Sequence, residues 1–209
     1  MSSTVTLYTN PMSRGQIARW ALEEVGVPYE AVILDYASTM KGADYLAINP
    51  MGKVPAIVHD GRVVTECAAI CAYLAAAFPD AGLAPRREEL ADYYRWLFFA
   101  AGPVEAAVTN NALGVKTDEK TSRMAGYGSL EAVIDTLEGA VSKGDYICGA
   151  RFTAADVYVG AQVDWGLSFG TIPTRPAFEA YAARLRERPA YKRQKDIDNA
   201  LIAEMQKAG

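Results

Sequence analysis

The chain has 209 residues, enough for one large or two small domains with a real hydrophobic core, which excludes fibrous and mini-protein architectures. Hydrophobic residues make up 51% and charged residues 22%, and the mean hydropathy is −0.01, as in a globular chain rather than a disordered or membrane-embedded one. With 21 Lys and Arg against 25 Asp and Glu the net charge is −4, without the cationic field a phosphate-backbone binder needs, which argues against nucleic acid as a partner.

Val5 to Tyr8 reads as a short strand. Asn10-Pro11-Met12-Ser13 follows as a turn, and Ile17, Ala21 and Val25 then recur at helical spacing until Gly26 and Pro28 stop them. Ala31 to Leu34 supplies a second strand, and two strands joined by a helix favour a right-handed parallel βαβ unit. A short helical stretch from Asp44 to Ile48 leads into the turn Asn49-Pro50-Met51-Gly52. Ala56 to His59 and Arg62 to Thr65 flank Asp60-Gly61, a pair that accepts the positive φ of a type I′ turn, so a hairpin is predicted and the sheet is mixed.

His59 is the single histidine, which removes any site needing two imidazoles. It reads as a surface residue beside the turn. The next helix places Ile70, Tyr73, Leu74, Ala77 and Phe78 on one face and ends at Pro79. The order β-α-β-α-β-β-α is that of a thioredoxin-like domain.

From Pro85 the pattern is helical, with about five helices expected. Tyr93, Trp96, Leu97 and Ala100 form one stripe, and Gly102-Pro103 predicts a kink. Thr153 and Asp156 have the spacing of a capping box, with Phe152 and Val157 as its hydrophobic staple, although Asp is shorter than the usual Glu. A further helix is expected to begin at Pro176 and to stop before Pro189. The predicted organisation is an α/β thioredoxin-like domain over residues 1–79, a linker over 80–86 and an all-helical domain over 87–209.

The three cysteines, Cys67, Cys71 and Cys148, are an odd number and suit a reducing compartment, so a cytoplasmic location is expected. The longest apolar run, Cys67 to Phe78, is too short to span a bilayer, and the N-terminus has no basic targeting region; no membrane partner is expected.

Over essentially its whole length the chain resembles a cytosolic glutathione transferase. The resemblance rests on Tyr8 and Ser13 ahead of the first helix, on Asn49-Pro50-Met51-Gly52-Lys53-Val54-Pro55, on Glu66-Cys67 opening the third helix, and on Thr153-Ala-Ala-Asp156. It implies glutathione as co-substrate, a small hydrophobic electrophile, a homodimer and no metal. Such an enzyme must ionise the thiol, because the thiolate is the nucleophile. A free thiol of pKa near 8.5 is only about 3% ionised at neutral pH, and half ionisation requires roughly 2 kcal/mol of preferential anion stabilisation. One hydrogen bond to a charged group, worth about 1.5–3 kcal/mol, supplies that.

Two hydroxyls compete for this role. Ser13 matches the serine-using classes, while by spacing alone a helix cap is the commoner use of such a serine. Tyr8, followed by Thr9-Asn10 and by Arg14 and Arg19-Trp20, matches the tyrosine-using classes. The resemblance further implies that Val54-Pro55 is a cis-proline turn pairing with the cysteinyl backbone, and that Glu66 and Cys67 hold the γ-glutamyl end. Lys41 and Lys53 are implied for the glycyl carboxylate. Cys67 departs from the usual serine and loses a good hydroxyl donor. Met12, Phe99 and Trp165 are implied to line the electrophile pocket. Conjugation, isomerisation and dehalogenation share such a site, and a non-catalytic glutathione- or protein-binding module is the rival of a different class.

Overall fold

The computed structural model describes residues 4–208. The chain divides into two compact units, Met1–Leu83 together with Glu187–Gly209, and Ala84–Arg186. The first begins with β1 (Val5–Thr9), α1 (Gly15–Val25), β2 (Tyr29–Ile33), α2 (Ala43–Leu46), β3 (Ala56–His59), β4 (Arg62–Thr65) and α3 (Cys67–Ala77). The strands form one mixed sheet in the order β2-β1-β3-β4, parallel between β1 and β2 and antiparallel elsewhere. Asp60 and Gly61 have φ of 48° and 75°, the positive values that the Asp-Gly hairpin requires.

Alternation along β1 sends Val5, Leu7 and Thr9 to a fully buried face, with Thr6 and Tyr8 on the other. Tyr8 joins a small cluster with Leu34, Met40, Tyr45 and Ala56, its ring 5.6 Å from that of Tyr45 on α2. Two expectations change here. His59 is buried rather than superficial: its Nδ1 lies 2.9 Å from the Tyr73 hydroxyl and its ring packs on Phe78. The buried face of α3 is Cys67, Ile70, Cys71, Leu74 and Ala75, displaced from the expected stripe. Because α3 is apolar nearly all round, periodicity alone does not select its inward face.

The second unit holds α4 (Leu90–Phe99), α5 (Glu105–Ala112), α6 (Leu130–Val141), α7 (Ala154–Phe169) and α8 (Pro176–Arg186). The kink expected at Gly102-Pro103 is a π-type stretch over Ala100–Val104, which accommodates a proline that cannot donate to the helix ladder. The box at the start of α7 closes despite the short acid: Thr153 N–H donates to Asp156 Oδ2 at 2.8 Å, and Asp156 Oδ1 accepts from Ile147 N–H at 2.7 Å and from the Tyr181 hydroxyl at 2.9 Å.

A sixth α-helix follows Pro85, α9 (Pro189–Ala208). Pro189 therefore opens a helix, at the position where a missing N–H costs nothing, as well as closing the one before it. The sequence reading grouped this segment with the helical domain, whereas by contacts residues 187–209 belong to the first unit. The reason is α1: Arg19 Nε donates to Asp198 Oδ1 at 2.9 Å in a buried ion pair, Arg188 grips Glu24 at 2.6 and 2.7 Å, and Trp20 meets Tyr191 edge to face. No helix of the described residues is long and apolar enough to cross a membrane.

Candidate functional site

Strand register assembles the site. Tyr8 pairs with Ala56, and Ala56 pairs on its other side with Thr65. One residue beyond each lie Thr9, Pro55 and Glu66, so the turn into α1, the Val54-Pro55 turn and the entry to α3 open on one edge of the sheet. The Val54-Pro55 bond is cis. The N-termini of α1 and α3 meet there, with Cys67 Sγ donating to the Arg14 carbonyl at 3.5 Å. Two helix starts present backbone N–H groups and the positive ends of two dipoles, an arrangement suited to an anion.

Ser13 is 9% exposed, and its hydroxyl is fully engaged. Its Oγ donates to the Asn10 carbonyl at 2.6 Å and accepts from Gly15 N–H at 2.9 Å, the second contact being the capping use of serine. Asn10 fixes this turn: Nδ2 donates to the Leu34 carbonyl at 2.8 Å, while Oδ1 accepts from Met12 N–H at 2.9 Å. Tyr8 is half-buried, and its hydroxyl makes no hydrogen bond among the described residues.

The Asn49–Lys53 turn is pinned from within. The Lys53 carbonyl accepts from the Tyr45 hydroxyl at 2.6 Å and from Asn49 Nδ2 at 2.8 Å. Burial raises the Tyr45 phenol above its ordinary pKa, which keeps it a proton donor to that carbonyl. Lys41 Nζ donates to the Gly52 carbonyl at 2.6 Å; Gly52 has φ of 56° there, and a Cβ would stand 2.9 Å from that ammonium. Lys41 thus fastens the turn, while the Lys53 side chain is exposed.

Glu66 is exposed and holds φ 66°, ψ 116°, strained for a residue with a side chain, and such strain clusters at ligand sites. Cys67 is 8% exposed. Of the expected pocket residues, Met12 is 53% exposed beside Ser13 in the first unit. Phe99 and Trp165 are half-buried in the second unit, on helices α4 and α7 that pack together, with Trp165 edge-on to Phe169 at 6.0 Å. Sequence reasoning missed Thr9, Asn10 and Gly15. The Asn-Pro pair was a signal for the turn, but nothing local marks Thr9 as inward-facing.

Family models for the N-terminal and C-terminal domains of glutathione S-transferases match residues 3–76 and 89–189. Glutathione S-transferase F10 of Arabidopsis thaliana is 31% identical over 168 residues, covering 73% of this chain and 76% of that protein. The chain belongs to the glutathione S-transferase family. Glutathione S-transferase GstA of Escherichia coli O157:H7 is 28% identical over 204 residues, 95% of this chain and 98% of its own. Among solved structures, a sphingomonad glutathione S-transferase complexed with glutathione superposes with a TM-score of 0.75 at 29% identity, covering 93% of this chain and 98% of that one. As a family member this chain is a transferase with glutathione as co-substrate, and its sheet edge and two helix starts are where glutathione chemistry is to be sought.

Proposed function

We propose that this glutathione transferase conjugates the glutathione thiolate to a small hydrophobic electrophile, with Ser13 as the hydroxyl that holds the sulfur. The observation that carries the reading is the convergence of Ser13, Pro55, Glu66 and Cys67 on one sheet edge, set by the Tyr8–Ala56–Thr65 register. The Val54 backbone pairs with the cysteinyl unit, the Glu66 carboxylate takes the γ-glutamyl ammonium, and the α3 N-terminus takes its carboxylate. Lys53, with an exposed side chain, meets the glycyl carboxylate more readily than Lys41, which is held by Gly52. When sulfur arrives, the Ser13 O–H turns from the Asn10 carbonyl to the thiolate. Asn10 O keeps Ser13 N–H as a donor at 3.0 Å, so the exchange strands no backbone group. The thiol proton goes to solvent.

Tyr8 is the second reading, favoured by a hydroxyl that makes no bond among the described residues. Against it stands the packing of its ring on Tyr45, on the sheet face opposite Thr9.

Met12, exposed beside Ser13, supplies apolar surface for the electrophile. A homodimer is supported by the exposed Leu90, Tyr94 and Phe98, spaced at helical intervals along α4. The odd number of cysteines suits the reducing cytoplasm.

Calorimetric titration with glutathione, followed by turnover of a panel of aryl halides, enones, epoxides and maleyl compounds, tests this reading. Binding with conjugate formation is expected. No binding at millimolar glutathione overturns it, and turnover confined to maleyl isomerisation or to dehalogenation replaces conjugation with that chemistry.

A further inference from the structure

Thr9 ends β1 with a side chain that is 0% exposed, and its Oγ1 has no hydrogen-bond partner among the described residues. A buried hydroxyl left unpaired is costly, so its persistence calls for an explanation. Its surroundings supply one. A Cβ built on Gly15 would stand 1.9 Å from Thr9 Oγ1 and 3.0 Å from Ser13 Oγ. Both oxygens therefore crowd the same side of the Gly15 Cα, at the first turn of α1, and the lack of a side chain there is what admits them together. The φ of Gly15 does not require glycine; the space does.

We propose that Thr9 is a positioning residue for Ser13: with glutathione bound, the Thr9 O–H donates to Ser13 Oγ, completing a relay of two hydroxyls that ends on the sulfur. This rests on the reading of Ser13 given above. A serine hydroxyl has one proton to give and two lone pairs to accept with. Ser13 gives its proton to Asn10 O and accepts from Gly15 N–H, leaving one lone pair open. Once the proton turns to the thiolate, Ser13 becomes a stronger acceptor, and Thr9 carries the nearby uncommitted proton. The two oxygens flank one point beside Gly15, at 1.9 and 3.0 Å from it, and a change of the Thr9 rotamer is what would bring them into contact. Every group is then satisfied: Thr9 donates to Ser13, Ser13 donates to sulfur, and Asn10 O retains Ser13 N–H. No covalent bond changes in the relay. A donated hydrogen bond polarises the hydroxyl that receives it and strengthens that hydroxyl's own donation.

The test is the pKa of glutathione's thiol in the complex, read from thiolate ultraviolet absorbance, for Thr9→Val and Thr9→Ser in the wild-type and Ser13→Ala backgrounds. Valine keeps the shape and removes the hydroxyl. In the wild-type background Thr9→Val is expected to raise the bound thiol pKa by about 0.5 unit, a cooperative share of one charged hydrogen bond, while Thr9→Ser restores it. In the Ser13→Ala background Thr9→Val is expected to change nothing. Ligand-free Thr9→Val should unfold at a higher urea midpoint, because an unpaired buried hydroxyl has gone. A purely structural Thr9 would move that midpoint and leave the thiol pKa in place, which overturns the relay. An equal pKa shift in both backgrounds also overturns it. If Ser13→Ala alone leaves the thiol pKa unmoved, the Ser13 reading itself fails and the relay with it.

Discussion

Cys67 opens α3, where the resemblance to the family implies serine, and its thiol donates weakly to the Arg14 carbonyl. On the proposed placement of glutathione, a hydroxyl there would be a better donor to the γ-glutamyl carboxylate at no cost in volume. Cys67→Ser is therefore expected to tighten glutathione binding by about 1 kcal/mol, roughly fivefold in Kd, measured by calorimetry. Unchanged or weaker affinity would show that the backbone N–H alone serves this end. Gly15 gives the opposite kind of prediction: the methyl of Gly15→Ala falls 1.9 Å from Thr9 Oγ1, and the variant should lose about 1–3 kcal/mol of stability in urea unfolding together with glutathione affinity. Full stability in that variant would mean that the Thr9 side chain moves aside freely. The places of Ser13, Pro55 and Glu66 beside the strand ends were legible because they follow from motifs along the chain. Thr9 and Gly15 were not, because theirs exist only where β1 delivers a side chain against α1.

Among the elements, the hairpin was legible to the residue, since Asp60-Gly61 settles both turn and register from Ala56 to Thr65. The inward face of α3 was not, because an all-apolar helix presents several equivalent stripes. The start of α7 was readable as a capping box, but the sequence did not reveal its load. Asp156 is fully buried and accepts from Thr153, Ile147 and Tyr181, and burial pushes its carboxyl up to about 6, outweighing the donors that favour the carboxylate. A folded pKa above the ordinary 3.8 means that the folded chain holds its proton more firmly than the unfolded chain does. The resulting stabilisation is present below pH 3.8 and is lost as the pH climbs through about 6. Wild type should therefore lose stability relative to Asp156→Asn across that window in urea titrations. A gap between the two that widens in favour of wild type as pH rises would contradict it.

For the whole molecule, the class of fold was legible from the change of pattern near Pro85, and the return of α9 to the first unit was not. That return rests on pairs far apart in sequence, above all Arg19 with Asp198 across 179 positions, which no local periodicity announces. Asp198→Ala leaves the Arg19 guanidinium buried without its carboxylate and is expected to cost about 3–5 kcal/mol, read from denaturant unfolding; a surface-like loss below about 1 kcal/mol would mean that α9 does not brace α1. Since Ser13 lies just ahead of α1, the brace and the proposed chemistry share one helix. On the proposed mechanism the Ser13 hydroxyl, rather than the phenol of Tyr8, stabilises the ionised sulfur. Titrating the thiolate absorbance of bound glutathione in wild type, Ser13→Ala and Tyr8→Phe tests it most directly, with folding stability followed alongside because Ser13 also caps α1. A bound thiol pKa raised by at least about one unit in Ser13→Ala and unchanged in Tyr8→Phe is expected; the reverse pattern would give the role to Tyr8.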